Sequence, residues 1–272
     1  MSLKEVRNAF LEHVPGLQAS VIALARRGLL PRRVWSKLQP MGDVVLRAPG
    51  GQEFIYRSRP DDMFARCVAW AGFSGWEGST VEYVAATCDR VRGFWDVGAH
   101  TGVYTLLVAA VNPAAHIRAF EPNPAVVPML LGNLEANRLP EDIVEAAALS
   151  DVSGVAYLDV PFNVTAATVG ARGIPIRAVR GDDVDDGSPV DLVKIDVEGH
   201  ELAVLQGMGG VLARCHPALI IEVLGAGENL AAVRSLLEPL GYSNCSYFTE
   251  CGLVPIDDGC EGELGGPNFL FL

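Results

Sequence analysis

Residues 94–102 read FWDVGAHTG, an apolar run that ends in an acidic residue and two glycines four positions apart before a second apolar run begins. The pattern predicts a buried strand through Val97, a tight turn, and a helix over 101–111 whose first amides point outward. Gly98 and Gly102 lack the Cβ atoms that would hold a ligand off the backbone. A strand, a glycine loop and a helix in that order open a nucleotide-binding α/β sheet, with the ligand beyond the carboxyl ends of the strands.

The spacing narrows the ligand. A dinucleotide fingerprint needs G-x-G-x-x-G, whereas this loop reads D-x-G-x-x-x-G and lacks the first glycine of that turn, which disfavours a nicotinamide oxidoreductase. The loop is of the kind that binds S-adenosylmethionine, although an ordinary strand-to-helix turn would also use these glycines. Residues 115–120 form the next expected strand, and Glu121 falls at its end, where a carboxylate accepts hydrogen bonds from a ribose diol. Pro122-Asn123-Pro124 then stops the strand.

Half of the 272 residues are apolar, enough for a sizeable core, and the formal net charge of −12 repels phosphate backbones. Nucleic acid is therefore not an expected partner, and a small hydroxylated acceptor is. No apolar stretch approaches the ~20 residues of a membrane span, and the first residues lack the order of a secretory signal, so no membrane partner and a cytoplasmic location are expected. Six cysteines carry no C-x-x-C spacing and read as reduced thiols, with 245, 251 and 260 the only loose cluster. A homo-oligomer is left open.

Apolar positions Val6, Phe10, Leu17, Val21 and Leu24 have helical spacing over 4–29, interrupted by Pro15. Residues 44–46 and 54–56 flank Pro49-Gly50-Gly51 as a hairpin, and 63–88 reads as helix in pieces broken at Gly72, Gly75 and Gly78. From Gly93 onward, strands and helices alternate: helix 125–137, strand 143–149, strand 191–196, helix 202–214, strand 218–223 and helix 230–240. Residues 243–248 and 268–272 close the sheet as a pair. The expected fold is α/β, a doubly wound sheet that is mostly parallel with one antiparallel strand. Residues 1–90 form a helical and hairpin extension, and residues 91–272 the catalytic domain.

A second constellation lies in residues 190–208, VDLVKIDVEGHELAVLQGM. Asp196 ends a buried strand and Glu198, His200 and Glu201 crowd the turn after it, on the rim shared with Asp96 and Glu121. Helix capping is the other reading of these acids, and for Glu201 it weighs as much as function. Removing a proton from a hydroxyl requires a base, for which Asp196 is the first candidate and Glu198 and His200 the others. Lys194 inside the strand needs a carboxylate, and Glu222 on the next strand is its expected partner. Asp196 and Glu222 are possible metal ligands, but without a third ligand no metal is expected.

DVGAHTG, FEPNP at 120–124, AALSD at 147–151 and LVKIDVEGHE at 192–201 together resemble the FkbM-type methyltransferase family over roughly residues 77–225. The resemblance implies a class I, Rossmann-like methyltransferase that uses S-adenosyl-L-methionine to methylate hydroxyls of sugars and natural products. It implies cofactor contacts at Asp96, Gly98, Ala99, His100, Gly102, Glu121 and Pro122, and adenine-side contacts near Ala148, Leu149 and Ser150, with Asp196 shared between cofactor and catalysis. The family carries Asn at the position of His100, so hydrogen bonding there differs and a direct use of His100 is open. N- or C-methylation on the same scaffold, or a catalytically silent nucleoside-binding module, are the alternatives.

Overall fold

A computed structural model describes residues 16–35, 38–60, 62–159, 167–170, 172–224, 227–256 and 268–272. The leading segment holds helices α1 (Leu17–Arg26) and α2 (Arg32–Trp35), strands β1 (Gly42–Arg47) and β2 (Glu53–Ser58), and helices α3 (Met63–Ala71) and α4 (Gly78–Thr87). β1 and β2 pair antiparallel with Val45 opposite Ile55, as the Pro-Gly-Gly turn demands. The first part of the helical pattern over 4–29, with Val6, Phe10 and Pro15, lies outside the described residues.

The main sheet contains β3 (Gly93–Val97), β4 (His116–Phe120), β5 (Val144–Glu145), β10 (Leu192–Ile195), β11 (Ala218–Glu222), β12 (Cys245–Thr249), β13 (Gly252–Pro255) and β14 (Asn268–Phe271). Its order is β13-β12-β14-β11-β10-β3-β4-β5. β10, β3, β4, β5 and β11 are parallel, and β14 is inserted antiparallel between β11 and β12. The parallel strands are buried on both faces, so they read as continuous apolar runs: every residue of GFWDV and of LVKI is buried.

Strand periodicity divides the core. Phe94, Leu192, Ile220 and Leu270 face one layer, packing with α5 (Val103–Val111), α6 (Val127–Ala136) and the leading helices. Trp95, Val193, Ile195, Leu219 and Ile221 face the other, with α8 (Glu201–Gly207), α9 (Gly209–Cys215) and α10 (Glu228–Leu237). The residues before β3 share the first core with the sheet: Ile22, Leu46, Val68 and Val84 belong to the same apolar cluster as Leu106 and Leu134.

Three expectations are corrected. Residues 143–149 are not one strand: β5 ends at Glu145, the Ala147 amide donates back to the Glu145 carbonyl (2.8 Å), and β6 (Ala148–Leu149) enters another sheet. That sheet, β6-β9-β7-β8, with β7 (Gly154–Asp159), β8 (Thr168–Gly170) and β9 (Ile174–Val179), was not expected at all. It is followed by the single turn α7 (Gly181–Val184). Finally, the helix expected over 202–214 is two helices that meet at Met208. Gly207 packs so closely on Ser150 that a Cβ would collide with the Ser150 carbonyl oxygen.

Candidate active site

β3 and β10 are neighbours whose connections leave to opposite sides, which opens a crevice beyond their carboxyl ends. A cavity of about 430 Å³ lies there. Of the residues expected to bind a cofactor, Asp96, Gly98, Ala99, His100, Glu121, Pro122 and Leu149 line it, and so do the candidate bases Asp196, Glu198 and His200. Gly102 and Ser150 do not line it. Phe64, Trp76, Glu77, Tyr104, Asn123 and Glu222 complete much of the wall.

The glycines act differently from the simplest expectation. Gly98 (φ +81°) and Gly102 (φ +83°) are left-handed, and a Cβ on either would strike protein, namely the Asp196 carbonyl oxygen and a methyl group of Leu130. The loop therefore needs glycine so that β3 can close on β10 and α5 on α6, and the ligand-facing backbone follows from that packing.

Glu121 braces the loop. Its two carboxylate oxygens accept from the amides of His100 and Asn123, each at 2.8 Å, which holds His100 at φ +48°. Burial raises the Glu121 carboxyl to about 7, against the pull of those two amides. Asp96 is also spoken for: its Oδ2 accepts from Thr105 Oγ1 (2.6 Å) and the Thr105 amide (2.9 Å), anchoring the first turn of α5. Burial lifts Asp96 to about 6.

The far wall is acidic. Lys194, fully buried, donates to Asp196 Oδ2 at 3.3 Å, and the Glu222 carboxyl lies nearby. The expected Lys194–Glu222 pairing is thus corrected: the direct ion pair is with Asp196, two residues along the same strand. Burial lowers the Lys194 ammonium, but Asp196, Glu77 and Glu222 outweigh it and hold its pKa above the ordinary value. Burial and the charge of Asp196 push Glu222 up to about 8.

Glu198 stands at φ +51°, and burial, Asp196 and Glu201 raise its carboxyl. Glu201 caps the turn, accepting from the Gly199 amide at 2.7 Å. His200 Nε2 lies 3.0 Å from Ser150 Oγ, and burial lowers its pKa, so the ring is neutral at pH 7. Among non-glycine residues, Glu77 (φ +44°), His100 and Glu198 all combine left-handed backbone with a place on the cavity wall, the kind of local strain that collects at functional sites.

Sequence reasoning missed the contribution of the leading segment. Glu77 accepts from the Tyr104 hydroxyl at 2.7 Å. The Tyr56 hydroxyl of β2 lies 3.0 Å from Thr101 Oγ1, and Asn133 Nδ2 donates to the Thr101 carbonyl at 2.7 Å, so the loop is held from outside the sheet. Glu77 follows a Gly-Trp pair in a stretch read as broken helix, and its charge before α4 was the available signal.

Counting the seven strands β3, β4, β5, β10, β11, β12 and β14 in chain order, the sheet runs 3-2-1-4-5-7-6. That order, with the glycine loop at the switch point and an acid ending the second strand, defines a class I methyltransferase. The sequence pattern of the Methyltransferase FkbM domain matches residues 96–244, more than half of the chain, and the protein belongs to that family. A curated relative, hexuronic acid methyltransferase AglP of Haloferax volcanii, is 31% identical over 150 residues, 53% of this chain and 60% of that protein. The match thus spans less than two thirds of the relative's length. In structure, the chain is similar to methyltransferase FkbM from Methylobacillus flagellatus KT, with TM-score 0.46 and 19% identity, covering 67% of this chain and 44% of that one. It is also similar to a SAM-dependent O-methyltransferase from Thermotoga maritima, with TM-score 0.42 and 12% identity, covering 86% and 93%.

The residues present fit S-adenosylmethionine, the cofactor of the family. Asn123 Nδ2 and His100 Nε2 are buried atoms with no hydrogen-bond partner among the described residues, and both side chains line the cavity beside Glu121. Among the described residues no helix is long and apolar enough to cross a membrane, and Cys67, Cys88, Cys215 and Cys251 are free thiols. Cys260 of the loose cysteine cluster lies outside the described residues.

Proposed function

We propose that this chain transfers a methyl group from S-adenosylmethionine to a hydroxyl of a small polar acceptor, a sugar or natural product. One observation carries the reading: the glycine loop with Glu121 and the acidic group Asp196, Glu198 and Glu222 line a single cavity. The cofactor, when bound, supplies a methyl on positively charged sulfur for in-line displacement.

Glu121 keeps lone pairs beyond those used by the His100 and Asn123 amides, and these accept from the ribose hydroxyls. Ala99, His100 and Pro122 form the nucleoside wall, with Leu149 against the adenine side. Asp196, half-exposed to the cavity, takes the proton of the acceptor hydroxyl, and Glu198 and neutral His200 are the alternative bases. Phe64, Trp76 and Tyr104 present rings to the acceptor side and limit water there. In this reading the segment up to residue 90 builds the acceptor wall, while residues 91–272 carry the donor site.

The hexuronic acid named for the Haloferax volcanii relative supports a sugar hydroxyl as acceptor. The net charge of −12 supports a small molecule over nucleic acid. Mass spectrometry of a polyol panel incubated with protein and donor tests the reading. Asp196→Asn should lower turnover by about 100-fold or more, with S-adenosylhomocysteine affinity changed little. Product methylated at nitrogen or carbon would reject the hydroxyl assignment, and donor binding without any product would leave a silent nucleoside-binding module.

A further inference from the structure

We propose that Glu77, Asp196 and Glu222 hold a divalent cation on the cavity wall, with Asn268 as a neutral fourth oxygen donor. One carboxylate oxygen from each acid lies within 4.8 Å of the others. The three come from separate elements, Glu77 from the turn before α4, Asp196 from the end of β10 and Glu222 from the end of β11, so tertiary packing alone gathers them. An all-oxygen set of this kind suits a hard cation such as Mg²⁺ or Mn²⁺.

The second observation is independent of the acids. Asn268 is 4% exposed and its Oδ1 is buried without a hydrogen-bond partner among the described residues. Its amide reaches the same cluster, with Nδ2 3.2 Å from Glu77 Oε2. Asn268 sits directly opposite Glu222 in the β11–β14 register, so both side chains leave the same face of the sheet. A half-turn of the amide exchanges Oδ1 for Nδ2 and supplies a neutral oxygen to the acids.

Charge agrees with geometry. Three carboxylates meet one ammonium, and Lys194 engages only Oδ2 of Asp196. While the three carboxylates are ionised their crowding in a half-buried site is costly, and a divalent ion offsets it. Glu77 is held for the task by its left-handed backbone and by the Tyr104 hydroxyl on Oε2. The cation rests on these contacts alone. Its use, to orient and polarise oxygens of a polyhydroxylated acceptor beside Asp196, rests on the function proposed above.

The test is direct. The full chain, freed of metal with chelator, is titrated with Mn²⁺ under electron paramagnetic resonance and with Mg²⁺ by calorimetry, each with and without S-adenosylhomocysteine. One Mn²⁺ per chain is expected, with affinity falling at least about tenfold in Glu222→Gln and in Glu77→Gln and by several-fold in Asn268→Ala. Circular dichroism of each variant separates loss of the site from loss of the fold, and Glu222→Gln serves should Glu77→Gln fail to fold. Absence of binding at millimolar Mn²⁺, or binding that neither glutamine variant weakens, would overturn the proposal. Mn²⁺ binding in a chain that ignores S-adenosylhomocysteine would uphold the cation site and reject the donor reading.

Discussion

At the scale of single residues, Glu121 ties the loop geometry to pH. Its carboxyl titrates near 7 in the folded chain and near 4.5 when unfolded, so between those values the folded state holds a proton that the unfolded state has lost. The unliganded protein therefore loses stability from this group as pH rises from about 4.5 to about 7, by an amount on the order of 3 kcal/mol, and none beyond that. Donor binding has the opposite sign. In the function proposed above, ribose hydroxyls donate to the ionised carboxylate, so S-adenosylhomocysteine affinity should fall by up to about tenfold per pH unit below 7 and level off above it. Calorimetric titrations from pH 5.5 to 8.5 check this, and a flat profile would remove Glu121 as the acceptor of those hydroxyls. Gly98→Ala makes a second residue-scale prediction. The new methyl meets the Asp196 carbonyl oxygen at a left-handed position, so a loss of about 2–4 kcal/mol is expected in urea denaturation. A variant as stable as the parent would show that the loop can retreat from β10.

At the scale of elements, the leading hairpin is held to the sheet by helix side chains. Asn133 and Asn137, one turn apart on and just after α6, bond the backbone of β2: Asn133 Oδ1 accepts from the Arg57 amide (2.7 Å), and Asn137 accepts from and donates to Ile55 (2.8 and 2.7 Å). Asn133 also holds the Thr101 carbonyl of the glycine loop. Asn133→Ala should thus cost about 1–3 kcal/mol of stability and weaken donor binding severalfold, since buried partners on two elements lose their bonds. Denaturation with a parallel S-adenosylhomocysteine titration checks both, and a change in stability alone would mean that the loop is held without Asn133. This docking was invisible in the sequence, where two asparagines on a helix carry no partner label. The central parallel strands β3, β10 and β11 were legible because burial on both faces makes them nearly continuous apolar runs. The small sheet was not, because β7 and β9 keep much of their length exposed, with Leu158 the one buried residue of β7, and Pro175 interrupts the second. The acids on the cavity wall at Asp96, Glu121 and Asp196 were legible because each stands at or beside the end of a buried strand. Glu77 and Asn268 were not, because only the packing of α4 against α5 and the pairing of β14 with β11 bring them there.

At the scale of the whole molecule, the question is whether the donor-binding part stands without the segment before it. α5 is apolar almost all round, with Val103, Tyr104, Leu106, Leu107 and Val108 buried, so it needs cover on the side away from β3. That cover comes from α3, α4, the turn between them and the hairpin: Phe54, Val68, Phe73, Val81 and Val84 share one cluster with Leu106, Leu107 and Leu134. Polar ties run the same way, since Tyr56 reaches Thr101 and Glu77 reaches Tyr104. Removing residues 1–90 would therefore expose a large apolar face and orphan two buried polar groups at once. A fragment of residues 91–272 should bind a hydrophobic dye strongly, lose its sharp urea transition and fail to bind S-adenosylhomocysteine, whereas the full chain unfolds in one step. A cooperative transition in the fragment would mean that α5 finds other cover. In that case the leading segment would serve the acceptor alone, and the glycine loop would owe its shape to Glu121 and the close contact of β3 with β10.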